Sequence, residues 1–179
     1  MRIAVYWDID GTLLLSPPGR ADLYRSTIAS LGGTPVLPSQ PRDGLTDRRV
    51  GELYLDAAGM PLALIDDFLA ELDRQSVAYY VEHPREQMPG ALAAVADVAG
   101  RGWRQAVMSG NTPTRIRTKL ATAGIDPDLF DPATSVSGGS SVTGVTWADK
   151  PVGSPVTTSW WSSGTPRTIS WRRGRPMPR

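Results

Sequence analysis

The sequence predicts an α/β fold: a parallel sheet with helices on its faces, interrupted after the first strand by an all-helical insert. Three observations carry that expectation. The apolar run "IAVYW" (Ile3–Trp7) ends at Asp8, and a second run inside "WRQAVMSGN" (Trp103–Asn111) ends at Ser109, each the length of a buried parallel strand. Helical periodicity fills the chain between and after them. Two breaks, "SPPG" (Ser16–Gly19) and "HPREQMPG" (His83–Gly90), bracket a stretch with no strand signal.

Taken in order, the first strand is followed by "ADLYRSTIASLG", a helix stopped by the pair Gly32–Gly33. In "TDRRVGELYLDAAG", Thr46 or Asp47 is the N-cap and Gly59 the stop. "PLALIDDFLAELDRQSVAYYVEH" sets Pro61 at a first-turn position and keeps its apolar residues on one face. After the second break come a helix in "ALAAVADVAGRG", the second strand and turn, and a helix in "TPTRIRTKLATAG" that Gly124 ends. The expected organisation is therefore a discontinuous core from residues 1–15 and 87–132, a helical lobe over 18–84, and a distinct tail over 133–179. This is a Rossmann-like arrangement.

Composition narrows the classes. The formal net charge of +1 hides an asymmetry: residues 133–179 hold six Lys/Arg against the single acid Asp149, while residues 1–132 hold thirteen against seventeen. A basic tail with four of the six tryptophans is a candidate nucleic-acid contact. There is no cysteine, so disulfides and thiolate metal sites are excluded. No apolar run approaches a membrane span, and "MRIAVYWDID" lacks the basic head and cleavage site of a signal peptide. A cytoplasmic protein is the default expectation.

The chemistry concentrates in "WDIDGTLL". Asp8 and Asp10 stand two apart where a strand ends, a spacing that projects both to the same side. Gly11 can make the sharp turn that exposes them. Ligands of open α/β sheets bind beyond the carboxyl ends of the strands, which is where this pair lies. As a bare D-x-D the pair also reads as an Asx-turn with two solvated aspartates. At the end of the second strand, the Ser109 hydroxyl and the Gly110 N–H can donate to phosphoryl oxygens. Asn111 and Thr112 open the next helix, whose N-terminus suits an anion.

The string "DIDGTL" after an N-terminal apolar strand resembles the first motif of the haloacid dehalogenase-like (HAD) hydrolases, most of which are phosphatases. "QAVMSGNT" resembles their second motif. "GLTD" (Gly44–Asp47), "MPGALAAVADVAGRGW" and "TRIRTKLATAGIDPDLFD" look like segments of the phosphoglycolate phosphatase-like branch. The resemblance spans residue 3 to about 132. It implies a Mg²⁺-dependent phosphomonoester hydrolase acting on a small phosphorylated metabolite, with a helical cap that selects the substrate. It further implies Asp8 and Asp10 as catalytic pair and metal ligands, Asp10 through its carbonyl, and Ser109, Gly110 and Asn111 as phosphate-binding residues. The charge-balancing cation of the family's third motif is open among Lys119, Lys150 and neither. Lys119 comes early for that role, and a solvated helix face is an equal reading of it. Lys150 imitates a Lys-Pro but sits in no strand-helix pattern. His83 reads as a surface or linker residue. Two other functions stay in view: a related phosphotransferase or mutase, and a non-catalytic protein with a nucleic-acid-binding tail.

The family's fourth motif, an apolar strand running into an acidic pair, is absent in frame. One shifted frame supplies it. With codons begun one base earlier, Trp160-Trp161-Ser162 read as TGG-TGG-TCN gives Val, Leu or Met, then Val, then Val. Continuing through Arg173, the compatible string is V-V-V-V-G-D-T-P-H-D-I-V-A-A. That is an apolar strand, a GDxxxD motif and an Ala-rich helix start. We therefore read the tail as out-of-frame translation, beginning upstream of Trp160, and expect it to be irregular and the chain as written to be a poor enzyme.

Overall fold

A computed structural model describes residues 3–16, 22–42 and 44–138, together with the backbone pairing of residues 156–162 and 165–171. Strand β1 (Ala4–Trp7) pairs in parallel with β2 (Arg104–Val107), with Ala4 opposite Arg104 and Trp7 opposite Val107. Parallel neighbours need a long crossover, and the helical insert together with helix α4 (Ala91–Gly100) supplies it. The ladder gains a third member at Val136, whose N–H donates to Val107 O at 2.7 Å and whose carbonyl accepts the Ser109 N–H at 2.9 Å. Pairing therefore runs past residue 132. Gln105 ties the layers: it accepts from Trp7 Nε1 at 2.9 Å and donates to Val95 O of α4 at 3.2 Å.

Helix α5 (Pro113–Thr122) follows β2, capped by Thr112, whose hydroxyl accepts the Arg115 N–H. Gly124, with φ 75°, turns the chain out of it. Ile9, Leu13, Leu14, Val95, Val107, Leu120 and Ile125 form the centre of the core cluster, all buried. Each such side chain contributes about 1.5–3 kcal/mol.

The insert holds helices α1 (Leu23–Ser30), α2 (Asp47–Ala57) and α3 (Ile65–Glu82), with a short 3₁₀ turn at Leu62–Leu64. Thr46 is the N-cap of α2, its hydroxyl accepting the Arg49 N–H at 3.2 Å, and Asp47 is the first helical residue. These helices bury a separate apolar cluster built on Ile28, Tyr54, Leu55, Phe68 and Leu72. The two limbs that join insert to sheet pair with each other: Leu15 N–H donates to Glu86 O at 2.8 Å, and Met88 N–H to Leu13 O at 2.9 Å. None of the helices among the described residues is long and apolar enough to cross a membrane.

Within the tail expected to be irregular, β3 (Val156–Ser162) and β4 (Thr165–Trp171) pair antiparallel with each other, so over those residues the backbone is regular. They form a ladder separate from the β1–β2 sheet. The side chains beyond residue 138, and Asp149 and Lys150 altogether, lie outside the described residues.

Candidate active site

The turn after β1 is closed by backbone bonds: the Leu13 and Leu14 N–H groups donate to Ile9 O at 3.0 and 2.9 Å, and the Gly11 N–H to Leu14 O at 2.8 Å. Gly11 takes φ 88°, a conformation that favours glycine. Ile9 is fully buried and anchors the turn, which leaves Asp8 exposed and Asp10 half-buried. The two aspartates then meet different surroundings.

Among the described residues Asp8 has one close side-chain partner, the Thr12 hydroxyl, which donates to Oδ2 at 3.3 Å. Partial desolvation and the negative charge of Asp10 raise its carboxyl above the ordinary range, against the Ile9 N–H and the Thr12 hydroxyl. Asp10 is held by three donors from three segments. Lys119 Nζ of α5 donates to Oδ2 at 2.6 Å, Asn111 Nδ2 to the same oxygen at 2.9 Å, and Arg85 Nη2 to Oδ1 at 3.1 Å. Burial alone would raise the Asp10 carboxyl, but the charge and hydrogen bond of Lys119, with Asn111 and Arg85, hold it below the ordinary range.

Lys119 is 2 % exposed, so the solvated-face reading of it does not hold. Its ammonium also donates to Asn111 Oδ1 at 2.9 Å and lies 5.6 Å from the centre of the Tyr80 ring. Desolvation pulls its pKa down despite the pairing with Asp10. Asn111 organises the group: beyond Asp10 and Lys119, its Nδ2 donates to Ser109 Oγ at 2.8 Å. The Asn111 N–H donates to that same hydroxyl oxygen at 3.2 Å, so Ser109, Asn111, Lys119 and Asp10 form one connected set. Gly110 sits where a Cβ would lie 2.7 Å from Leu45 O, so the insert approaches the turn at a distance that excludes a side chain there.

One expectation is corrected. The Thr112 N–H at the start of α5 is not open to an external anion, because it donates to the carboxylate of Asp47 at 2.7 Å. An anion at this site is left with Ser109, the Gly110 N–H and Lys119. Lys150 lies outside the described residues, and exposed His83 packs its ring against Tyr79 at 4.6 Å. Sequence reasoning missed Arg85, 6 % exposed, whose Nη2 also donates to Leu15 O at 2.6 Å. It also missed the buried pair of Arg115 and Asp47. No local pattern marks either: Arg85 is far from Asp10 in the chain and meets it only once the two limbs pair.

For a metal, the donor set is partial. Asp8 offers an exposed carboxylate, whereas the Asp10 carboxylate is engaged by Lys119, Asn111 and Arg85. No group of three His, Cys, Asp or Glu able to hold an ion occurs among the described residues.

A parallel α/β core with two aspartates at the first strand end, beneath an inserted helical lobe, defines the class. No family model matches the chain, nor does any curated protein. Among solved structures, CbbY from Rhodobacter sphaeroides in complex with phosphate is 19% identical with TM-score 0.50, over 77% of this chain and 64% of that one. A putative beta-phosphoglucomutase from Thermotoga maritima is 18% identical, TM-score 0.43, over 77% of this chain and 62% of its own. An L-2-haloacid dehalogenase from Xanthobacter autotrophicus with chloropropionic acid covalently bound is 19% identical, TM-score 0.35, over 76% and 56%. The chain thus spans less than two thirds of the length of these three proteins. The likeness to CbbY is one of fold.

Proposed function

We propose that this chain derives from a phosphomonoester hydrolase that cleaves a small phosphorylated metabolite through an aspartyl-phosphate on Asp8. The observation that carries this reading is the unequal environment of the two carboxylates. Asp8 is exposed and lightly held, as a nucleophile requires, while Asp10 is fixed by Lys119, Asn111 and Arg85, as a proton-transfer group requires. CbbY, whose structure contains phosphate, has the same fold and supports the choice of ligand class.

The steps balance as follows. An Asp8 oxygen bonds to phosphorus as the P–O bond to the alcohol breaks, and the leaving alkoxide takes a proton from Asp10. Asp10 then takes a proton from water, whose oxygen bonds to phosphorus and frees Asp8. At rest Asp10 is ionised, which suits the second half. A phosphate that draws Lys119 toward itself weakens the pull on Asp10 and favours the protonated form needed in the first half. Ser109 and the Gly110 N–H would orient the phosphoryl oxygens together with Lys119.

Mg²⁺ would be held by the Asp8 carboxylate and the Asp10 carbonyl, and when bound it offsets charge between carboxylate and phosphate. That repulsion amounts to about 4 kcal/mol per unit-charge pair at about 4 Å in an effective dielectric of about 20. The remaining acid is the one the shifted frame places in the tail. We therefore propose that the chain as written lacks a complete metal site. The lobe over 18–84 is proposed as the lid that selects substrate, its closure excluding water.

Turnover of p-nitrophenyl phosphate by the frame-restored protein, dependent on Mg²⁺ and abolished by EDTA, tests the reading. Free phosphate as product supports hydrolysis; phosphate on a second sugar supports a mutase instead.

A further inference from the structure

Asp47, a residue of the insert, grips the Ser109–Thr112 turn at two points on either side of Asn111. Its main-chain N–H donates to Gly110 O at 2.7 Å, and its Oδ2 accepts the Thr112 N–H at 2.7 Å. Its other oxygen accepts from the Tyr24 hydroxyl of α1 at 2.6 Å and from the Arg115 guanidinium of α5. The carboxylate side chain is 4% exposed and that of Arg115 6%. A turn residue pinned through the carbonyl before it and the N–H after it has its φ and ψ fixed, and with them the direction of its side chain. The residue so fixed is Asn111, whose amide group reaches Asp10, Lys119 and Ser109.

The sequence is built for this approach. The Cβ of any residue but glycine at 110 would lie 2.7 Å from Leu45 O and 3.2 Å from Thr46 Cα. Gly138 joins the same arrangement: its N–H donates to Asn111 O at 2.8 Å, and its carbonyl accepts the Arg48 N–H at 3.3 Å. Both helix starts are served at once. The Asp47 N–H of α2 finds an acceptor in the turn, and the Thr112 N–H of α5 finds one in the insert.

We propose that Asp47 is a positioning residue for Asn111, and through it for Asp10 and Lys119, so that docking of the insert and setting of the site are one event. This rests on reading Ser109–Thr112 as the phosphate-binding turn. An interface that served only to bury area would be met by apolar side chains, whereas a charged residue bonded to both flanks of one turn imposes a geometry. Asp47 would touch neither the phosphoryl group nor the nucleophile; its effect is carried by the backbone of the turn.

The test is hydrogen exchange, followed by NMR, on the full chain and on Asp47→Asn and Asp47→Ala. In Asp47→Asn the Asn111 side-chain amide and the Thr112 N–H should exchange about tenfold faster, the loss expected for a hydrogen bond to a charged acceptor. The amides of Val5–Trp7 and Arg104–Val107 should keep their rates. Asp22→Asn, which disturbs the insert at Tyr54 and Arg42 without touching the turn, should leave the Asn111 signals in place. Unchanged Asn111 and Thr112 exchange in Asp47→Asn, or equal acceleration throughout the sheet, would overturn the proposal. Should Asp47→Ala not fold, Asp47→Asn decides alone. A second arm titrates inorganic phosphate, whose affinity should fall about tenfold in Asp47→Asn, the same bond's worth. If neither the chain as written nor the frame-restored protein binds phosphate, the functional reading fails while the exchange rates still decide the role of Asp47.

Discussion

At the residue scale, the sequence order Asp-Ile-Asp places two carboxylates on one turn, and the cations around the second divide their labour. Lys119 is the largest of these influences on Asp10. Because the Asp10 carboxyl is depressed in the folded state, it stabilises the fold above the ordinary carboxylate range, and that contribution is lost as pH falls through the folded value. Lys119→Met removes the main cation and moves that value upward, toward or past the unfolded one that burial alone would exceed, so the variant should lose less stability on acidification than the parent chain. Denaturant midpoints measured from neutral pH down through the carboxylate range check this; superimposed pH profiles would contradict it. Asp8, Asp10, Ser109, Gly110 and Asn111 could be singled out as candidates because each lies at a strand end in a local motif. Arg85, Asp47 and Arg115 were not, since their partners are set by how the two limbs and the insert fold back.

Elements were legible where periodicity and punctuation agreed. Thr46 and Thr112 cap α2 and α5, Gly124 ends α5, and the two apolar runs became β1 and β2. What the pattern could not give is how helices pack. Gly51 on α2 faces α3 so closely that a Cβ would lie 2.8 Å from the Phe68 ring. Gly51→Val should destabilise the insert by about 1–3 kcal/mol through overpacking. That outweighs the gain of under about 1 kcal/mol from removing a helical glycine. Urea melts followed by tyrosine signals would report it, and an unchanged midpoint would speak against the α2–α3 contact. Where α5 meets the insert, Arg115→Met leaves the Asp47 carboxylate buried without its guanidinium. The expected cost is about 3–5 kcal/mol, with the double variant Asp47→Asn, Arg115→Met recovering part of it in the same melts.

At the scale of the whole molecule, the described fold and the tail follow different rules. The α/β core and the insert each bury an apolar cluster, and their junction carries the connected set of Asp10, Asn111, Ser109 and Lys119. The tail has no leucine, and its two strands pair with each other instead of extending the parallel sheet. Its composition differs from that of the core, and this difference is what motivates the out-of-frame proposal; a protein sequence cannot locate the base at which a frame would change. The coding sequence across residues 125–179 should read V-V-V-V-G-D-T-P-H-D-I-V-A-A in the shifted frame, over the codons of Trp160 onward. Stop codons in that frame between Trp160 and Pro176 would contradict the out-of-frame account.

The central claim is that Asp8 accepts a phosphoryl group in the protein from which this chain derives. Its most direct test is turnover of p-nitrophenyl phosphate with Mg²⁺ by the frame-restored protein, compared with its Asp8→Asn variant. An amide is a poor nucleophile, so the variant should keep the fold, shown by an unchanged circular dichroism spectrum, and lose turnover altogether. A folded Asp8→Asn variant that retains full activity would contradict the claim.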